Sequence, residues 1–246
     1  MKKHRLFAAV SVAALAIATL GACGDDGDGG ADNTKTEAKA LAEQAVAVMK
    51  TQEFIKLSAK GTDENGKPQT MSGCAGFKAK TLKATVDTGG GKMDVMMVGG
   101  AQYTKADGAG WLTLLGTDED PATAEKVAKV AAGRYLKSTS EGDDDEIGSF
   151  FADGTDGYTK GQPAKFASTD VVPLTKEKDG AKQTYYIAAK GKPYIVGKLK
   201  EQTDSKDREE TTFTRTEDKC EVTAPAADKT MTQQEFTAQL KAAGVK

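Results

Sequence analysis

The side chains able to do chemistry are few, and their spacing restricts what they can do. The chain of 246 residues holds three cysteines and one histidine. The histidine is His4, beside Lys2, Lys3 and Arg5, and no imidazole follows it. A histidine base, acid or metal ligand is therefore absent from Cys23 onward, which excludes a Ser-His-Asp triad. No serine is followed by lysine three positions later, and neither a Gly-x-x-x-x-Gly-Lys-Ser/Thr nor a Gly-x-Gly-x-x-Gly run occurs, so serine-lysine hydrolysis and nucleotide binding lack a signature. Carboxylates are plentiful, but Asp143, Asp144 and Asp145 read as a solvated helix start. Asp25, Asp26 and Asp28 lack the spacing and terminal glutamate of a calcium loop. The reading is a non-enzyme with no metal site and no cofactor.

What remains is thiol chemistry. Leu20-Gly21-Ala22-Cys23 resembles the bacterial lipobox, in which the cysteine thiol receives diacylglycerol and the chain is cleaved just before it. The flanks agree. Met1 to Arg5 is cationic, and Leu6 to Leu20 is uncharged but shorter than the ~20 residues that a spanning helix needs. Residues 1–22 are thus expected to be a lipoprotein signal peptide. Cys23 is the expected site of lipid attachment, with palmitate among the acyl chains. Residues 23–33, rich in glycine and aspartate, are a flexible acidic tether. Two buried acyl chains, at about 0.8 kcal/mol per methylene, hold a protein at a membrane. The expected location is the outer face of the cytoplasmic membrane, within the cell envelope. Cys74 and Cys220 remain as an even pair in an exported chain, which is most simply a disulfide.

The elements that position these groups follow from periodicity. Thr34-Lys35-Thr36-Glu37 reads as a capping box, followed by Ala38, Leu41, Ala42, Ala45, Val48 and Met49 at helical spacing. Short period-two segments follow at 54–61, 69–74, 81–88 and 92–98, bounded by Asn65-Gly66 and Gly89-Gly90-Gly91. On one face of this antiparallel meander stand Ile55, Leu57, Leu82, Ala84, Val86, Met93, Val95 and Met97, with Lys56, Lys60, Lys83, Asp87 and Asp94 opposite. Segments 102–105 and 111–115 continue the strand pattern. Asp120-Pro121 opens a helix that stops at Gly133, and a further short helix carries Ile147, Phe150 and Phe151. Strands are expected again over 165–176, 182–189, 194–202 and 208–215. A second capping box, Thr232 to Glu235, opens a final helix. The class is α+β, with residues 34–246 forming one domain. The stripe Met93, Val95 and Met97 either lines a lipid-accepting cavity or fills the core. With 34 basic and 36 acidic residues, no basic surface for nucleic acid is indicated.

In this order the elements resemble the actinobacterial LppX/LprG-type (LolA-like) lipoproteins over roughly residues 36–228. The resemblance lies in the Asn65-Gly66 hairpin, the strand Lys92 to Val98, the run Gly99-Gly100-Ala101-Gln102-Tyr103-Thr104-Lys105, and Gly133-Arg134-Tyr135-Leu136-Lys137. Gly191-Lys192-Pro193-Tyr194-Ile195 and Val222-Thr223-Ala224-Pro225 extend it. It implies a strongly curved antiparallel sheet, a half-barrel, with helices covering the concave face and a lipid or glycolipid held between them without catalysis. The side chains expected at such a cavity are Ile55, Leu57, Leu82, Val86, Met93, Val95, Met97 and Trp111. The alternative is an envelope sensor or assembly lipoprotein whose core is filled, with a protein partner that the sequence does not name. If Cys23 is the acylated residue, a Cys23→Ala variant will take up no labelled palmitate and will remain unprocessed in a gel-shift assay. Label retained in that variant would refute the assignment.

Overall fold

The computed structural model describes residues 31–63, 66–115, 121–139 and 154–245. The signal, Cys23, Asn65, Asp120, the tether as far as residue 30 and the expected helix carrying Ile147, Phe150 and Phe151 lie outside the described residues.

The first helix, α1 (Ala38–Thr51), buries Leu41, Ala42, Ala45 and Met49 at the expected helical spacing. Its start corrects the sequence expectation. Thr34 does not cap it, and Glu37 stands at the cap position with no side-chain bond. The cause is a competing turn over Asn33–Lys35, where Asp32 accepts from the Thr34 amide at 3.1 Å and the Thr34 hydroxyl at 2.5 Å. Asn33 is buried and donates to the carbonyls of Ala188 (2.7 Å) and Gly191 (3.1 Å), so the chain is pinned before the helix begins.

Then follow β1 (Ile55–Thr62), β2 (Pro68–Gly76), β3 (Thr81–Asp87), β4 (Lys92–Val98) and β5 (Ala101–Ala106). Next come α2 (Gly108–Leu115), α3 (Pro121–Ala131) and β6 (Tyr135–Thr139). The second half holds β7 (Thr159–Lys160), β8 (Ala164–Phe166), β9 (Thr169–Lys178), β10 (Ala181–Ala188), β11 (Ile195–Gln202) and β12 (Arg208–Arg215). The last elements are β13 (Thr230–Thr232) and α4 (Gln233–Ala242), which carries the Thr232–Glu235 capping box that the sequence predicts.

Residues 111–115 are helical, not extended. Trp-Leu-Thr-Leu-Leu has no polar alternation, so its periodicity does not distinguish strand from buried helix. Asp107 decides between them. Its carboxylate accepts from the Gly110 amide at 2.7 Å, its carbonyl accepts from the Trp111 amide at 2.9 Å, and its other carboxylate oxygen holds the Lys92 amide at 3.0 Å. The helix start is thereby clamped to β4. A Cβ on Gly91 would lie 2.1 Å from the Gly110 nitrogen, so that approach requires glycine.

One unclosed, curved sheet runs β13-β6-β5-β4-β3-β2-β1-β12-β11-β10-β9-β7, with β8 paired to β9. Among the described residues every strand pairing is antiparallel except β13 with β6. The register puts Ile55, Ala75, Leu82 and Met97 in one row, Leu57, Gly73, Ala84 and Val95 in the next, and Ala59, Met71, Val86 and Met93 in a third. Lys56, Cys74, Lys83 and Met96 lie on the reverse face. Helix α1 packs on the first face with Ile55, Leu57, Tyr185, Ile187 and Ile195. Helices α2 to α4 pack on the same face at the other end, around Trp111, Leu136, Met231 and Phe236. The helices thus cover the concave side.

Strand order forces one long crossing. To pass from β12 to β13 the chain must traverse β1 to β6, roughly 34 Å at the usual strand spacing. Residues 216–229, with a near-extended reach of about 50 Å, do so over the convex face. Asp218 pairs with Lys56 on β1 at 2.5 Å, Cys220 bonds to Cys74 on β2, and Val222 packs on the cluster of Met96, Ala101 and Tyr103 from β4 and β5. The disulfide forms as expected, but Cys220 belongs to this strap and not to a strand. Replacing both cysteines by serine should cost about 3 to 5 kcal/mol in urea unfolding, given the long loop the bond closes. Amide exchange in α4 should accelerate as well. Unchanged stability would show that the strap holds without it.

Candidate functional site

Strands β2, β3 and β4 carry their inward side chains past the gap between the two helix groups. Cross-strand pairing sets Leu82 opposite Met97, Ala84 opposite Val95, Val86 opposite Met93, and Met71 opposite Val86. Met71, Leu82, Val86, Val95 and Met97 are half-buried. Between them, Gly73 and Ala84 form a floor of small residues across the strands. A Cβ on Gly73 would come within 2.2 Å of the Lys83 carbonyl, so that position has no room for a side chain. The result is a shallow apolar trough with Met71 and Val86 along one side and Leu82 and Met97 along the other.

The eight candidates divide between trough and core. Leu82, Val86, Val95 and Met97 stand together in the trough. Ile55 (0% exposed) and Leu57 lie under α1, Met93 is 5% exposed, and Trp111 (0%) packs against Phe236 with ring centroids 4.9 Å apart. Those four are held by the protein's own side chains. Met71 belongs to the trough although it is not among the eight. Its signal is present in the sequence, because a two-residue alternation through Gln69, Met71, Gly73 and Ala75 aligns it with the apolar face of β3 once the hairpin is closed.

Electrostatics separate the two faces. None of the trough residues is ionisable, and the nearby charges project from the convex side. There Asp94 accepts from the Thr85 hydroxyl at 2.8 Å, and Lys92 pairs with Asp87 at 3.7 Å. The Lys56 ammonium hydrogen-bonds Asp218 and holds its carboxyl below the ordinary range. Lys165 does the same for Asp170. Both carboxyls are fully exposed, and neither reaches the trough. Among the described residues no three histidine, cysteine or carboxylate groups cluster as metal ligands. The trough therefore offers no nucleophile, base or ligand set. What it can do is remove apolar surface from water.

No protein-family model matches the chain, and no curated protein matches it. Among solved structures, an uncharacterized conserved protein from Thermus thermophilus is 10% identical, with 80% of this chain and 99% of that one covered, at a TM-score of 0.47. LprF from Mycobacterium bovis is 9% identical, covering 77% and 96%, at 0.45. The Mycobacterium tuberculosis lipoprotein LppX is 9% identical, covering 75% and 98%, at 0.44. The chain is similar in structure to LprF and LppX. At these scores the likeness does not establish a function, which has to be argued from the chain's own geometry.

The trough and the core should separate by mutation. Leu57→Ala or Ile55→Ala should cost about 2 to 4 kcal/mol in urea unfolding, whereas Val95→Ala or Met97→Ala should cost about 1 kcal/mol or less, because water already reaches those side chains. Equal costs at both sets would mean that the trough is packed solid.

Proposed function

We propose that this protein is a lipoprotein, anchored through Cys23 at the outer face of the cytoplasmic membrane, that binds a lipophilic ligand along the concave face of its sheet without covalent chemistry. The observation that carries this reading is the half-buried apolar trough between two helix-backed clusters. Soluble proteins seldom leave five neighbouring apolar side chains partly wet on an uncharged stretch of a concave surface without a use for it. Covering five half-exposed side chains stabilises a complex by about 5 kcal/mol, taking about 1 kcal/mol for each. Association and ordering costs consume much of that gain. A long acyl chain or glycolipid, able to extend from the trough toward both helix groups, is therefore favoured over a small apolar molecule.

The burial of Ile55, Leu57, Met93 and Trp111 favours a second reading. On that view the sheet is filled by its own side chains, and the protein serves the envelope as a sensor or assembly partner. Native mass spectrometry of the chain lacking residues 1–23 discriminates the two. The lipid reading expects a non-covalent lipid adduct and saturable uptake of a fluorescent fatty acid. Met97→Lys should weaken that uptake about tenfold with little change in melting temperature. No adduct and no uptake would leave the filled-core reading in place.

A further inference from the structure

Where α1 ends, a cleft of about 280 Å³ opens beside the start of β11 and the end of β12. Its apolar wall is Ala47, Val48 and Tyr194, and its cationic wall is Lys192 and Arg215. None of the trough residues lines it, and its volume falls just below the range usual for drug-sized ligands.

The charge here is unbalanced. Among the described residues, Lys192 and Arg215 have no carboxylate within ion-pair distance. The C-terminal end of α1, equivalent to about half a negative charge, borders the same cleft. Even that is partly met, because the Val48 carbonyl accepts from the Thr51 hydroxyl at 2.7 Å and the Gln52 side-chain amide at 2.9 Å. Two full positive charges against less than half a negative one leave an excess that the described fold does not neutralise. Arg215 is also positioned, with its guanidinium carbon 5.9 Å from the centroid of the Tyr194 ring. Tyr194 is 9% exposed, and among the described residues its hydroxyl has no hydrogen-bond partner. Burial pushes its pKa up to about 12, so it keeps its proton at neutral pH and remains a donor. The hydroxyl oxygen is also shut off from solvent, so Tyr194 presents its ring to the cleft and not its hydroxyl.

We propose that this cleft binds a small oxyanion, a carboxylate or phosphate group, between Arg215 and Lys192. The guanidinium offers the forked geometry that such oxygens accept, and the ammonium supplies a second charge. The site is independent of the lipid reading, since it shares no residue with the trough.

Titration of inorganic phosphate and of acetate into the isotope-labelled full chain in nonionic detergent, at constant ionic strength, tests it by amide chemical shifts. Saturable shifts are expected at Gln52, Lys192 and Arg215. The affinity should fall about tenfold in Arg215→Gln and in Lys192→Gln, each removing one charge-assisted contact. Tyr194→Phe, which removes a hydroxyl closed off from the cleft, should leave the affinity unchanged. Arg215 and Lys192 are exposed, so these two variants should keep the wild-type spectrum elsewhere. The source of the anion is read by comparing inorganic phosphate with dihexanoyl phosphatidylglycerol. Tighter binding of the lipid assigns a headgroup, tighter binding of the free ion assigns a soluble anion, and either upholds the site. Shifts that never saturate, or that persist unchanged in both Arg215→Gln and Lys192→Gln, overturn it.

Discussion

Alternation of side chains across the pleat is the constraint on which the rest of the molecule depends. From β1 to β4 the strands send most aliphatic groups one way and lysines, aspartates or threonines the other, with Met96 on the convex face as an exception that the strap covers. A slip of one residue in any of these pairings would carry Lys83 or Asp94 into the concave face and expel Val95 or Val86 into water. The helices do not create this division; they use it. Helix α1 settles on the rows that begin with Ile55 and Leu57, and α2 to α4 settle on Leu136 and Met231 at the other end. Because the two groups pack on separate parts of one face, the strands between them keep a half-buried apolar surface, with Met71 and Leu82 packed against the α1 cluster.

The strap is the second half of the same design. A sheet built in this order cannot bring β13 beside β6 without sending the chain around the outside. Asp218, Cys220 and Val222 are spaced two apart and meet β1, β2 and β4–β5 in turn, so the segment advances steadily across the convex face. Its convex contacts include a charge pair, a covalent bond and an apolar cluster. Anchoring the strap also fixes α4, whose Phe236 closes over Trp111.

Much of this was legible in the sequence. Period-two runs located β1 to β5 and β9 to β12, and on β1, β3 and β4 they assigned the faces as well, because burial on one side only leaves a clear alternation. Two features were not legible, each for a physical reason. Residues 111–115, Trp-Leu-Thr-Leu-Leu, have no polar alternation, and the Asp107 cap and the close glycine contact make the segment a helix. Thr34 has the composition of a cap, but Asp32 takes its hydrogen bonds and the buried Asn33 holds the segment against β10. The candidate site was half legible. Leu82, Val86, Val95 and Met97 were placed on the correct face, but alternation alone does not say which inward residues a helix will cover. Ile55, Leu57, Met93 and Trp111 were therefore grouped with them. Met71 required the hairpin register, which depends on how β2 and β3 close.

An unclosed sheet has two free margins, and hydrogen-bonding groups left there invite a neighbouring copy to extend the ladder. Here each margin ends in very short pieces. One is β13, three residues long and followed at once by α4; the other is made by β7, two residues, and β8, three residues, both laid on β9. Little continuous backbone remains at either side to template edge-to-edge growth. A fold that stays open to expose its concave surface thereby avoids becoming the seed of a fibre.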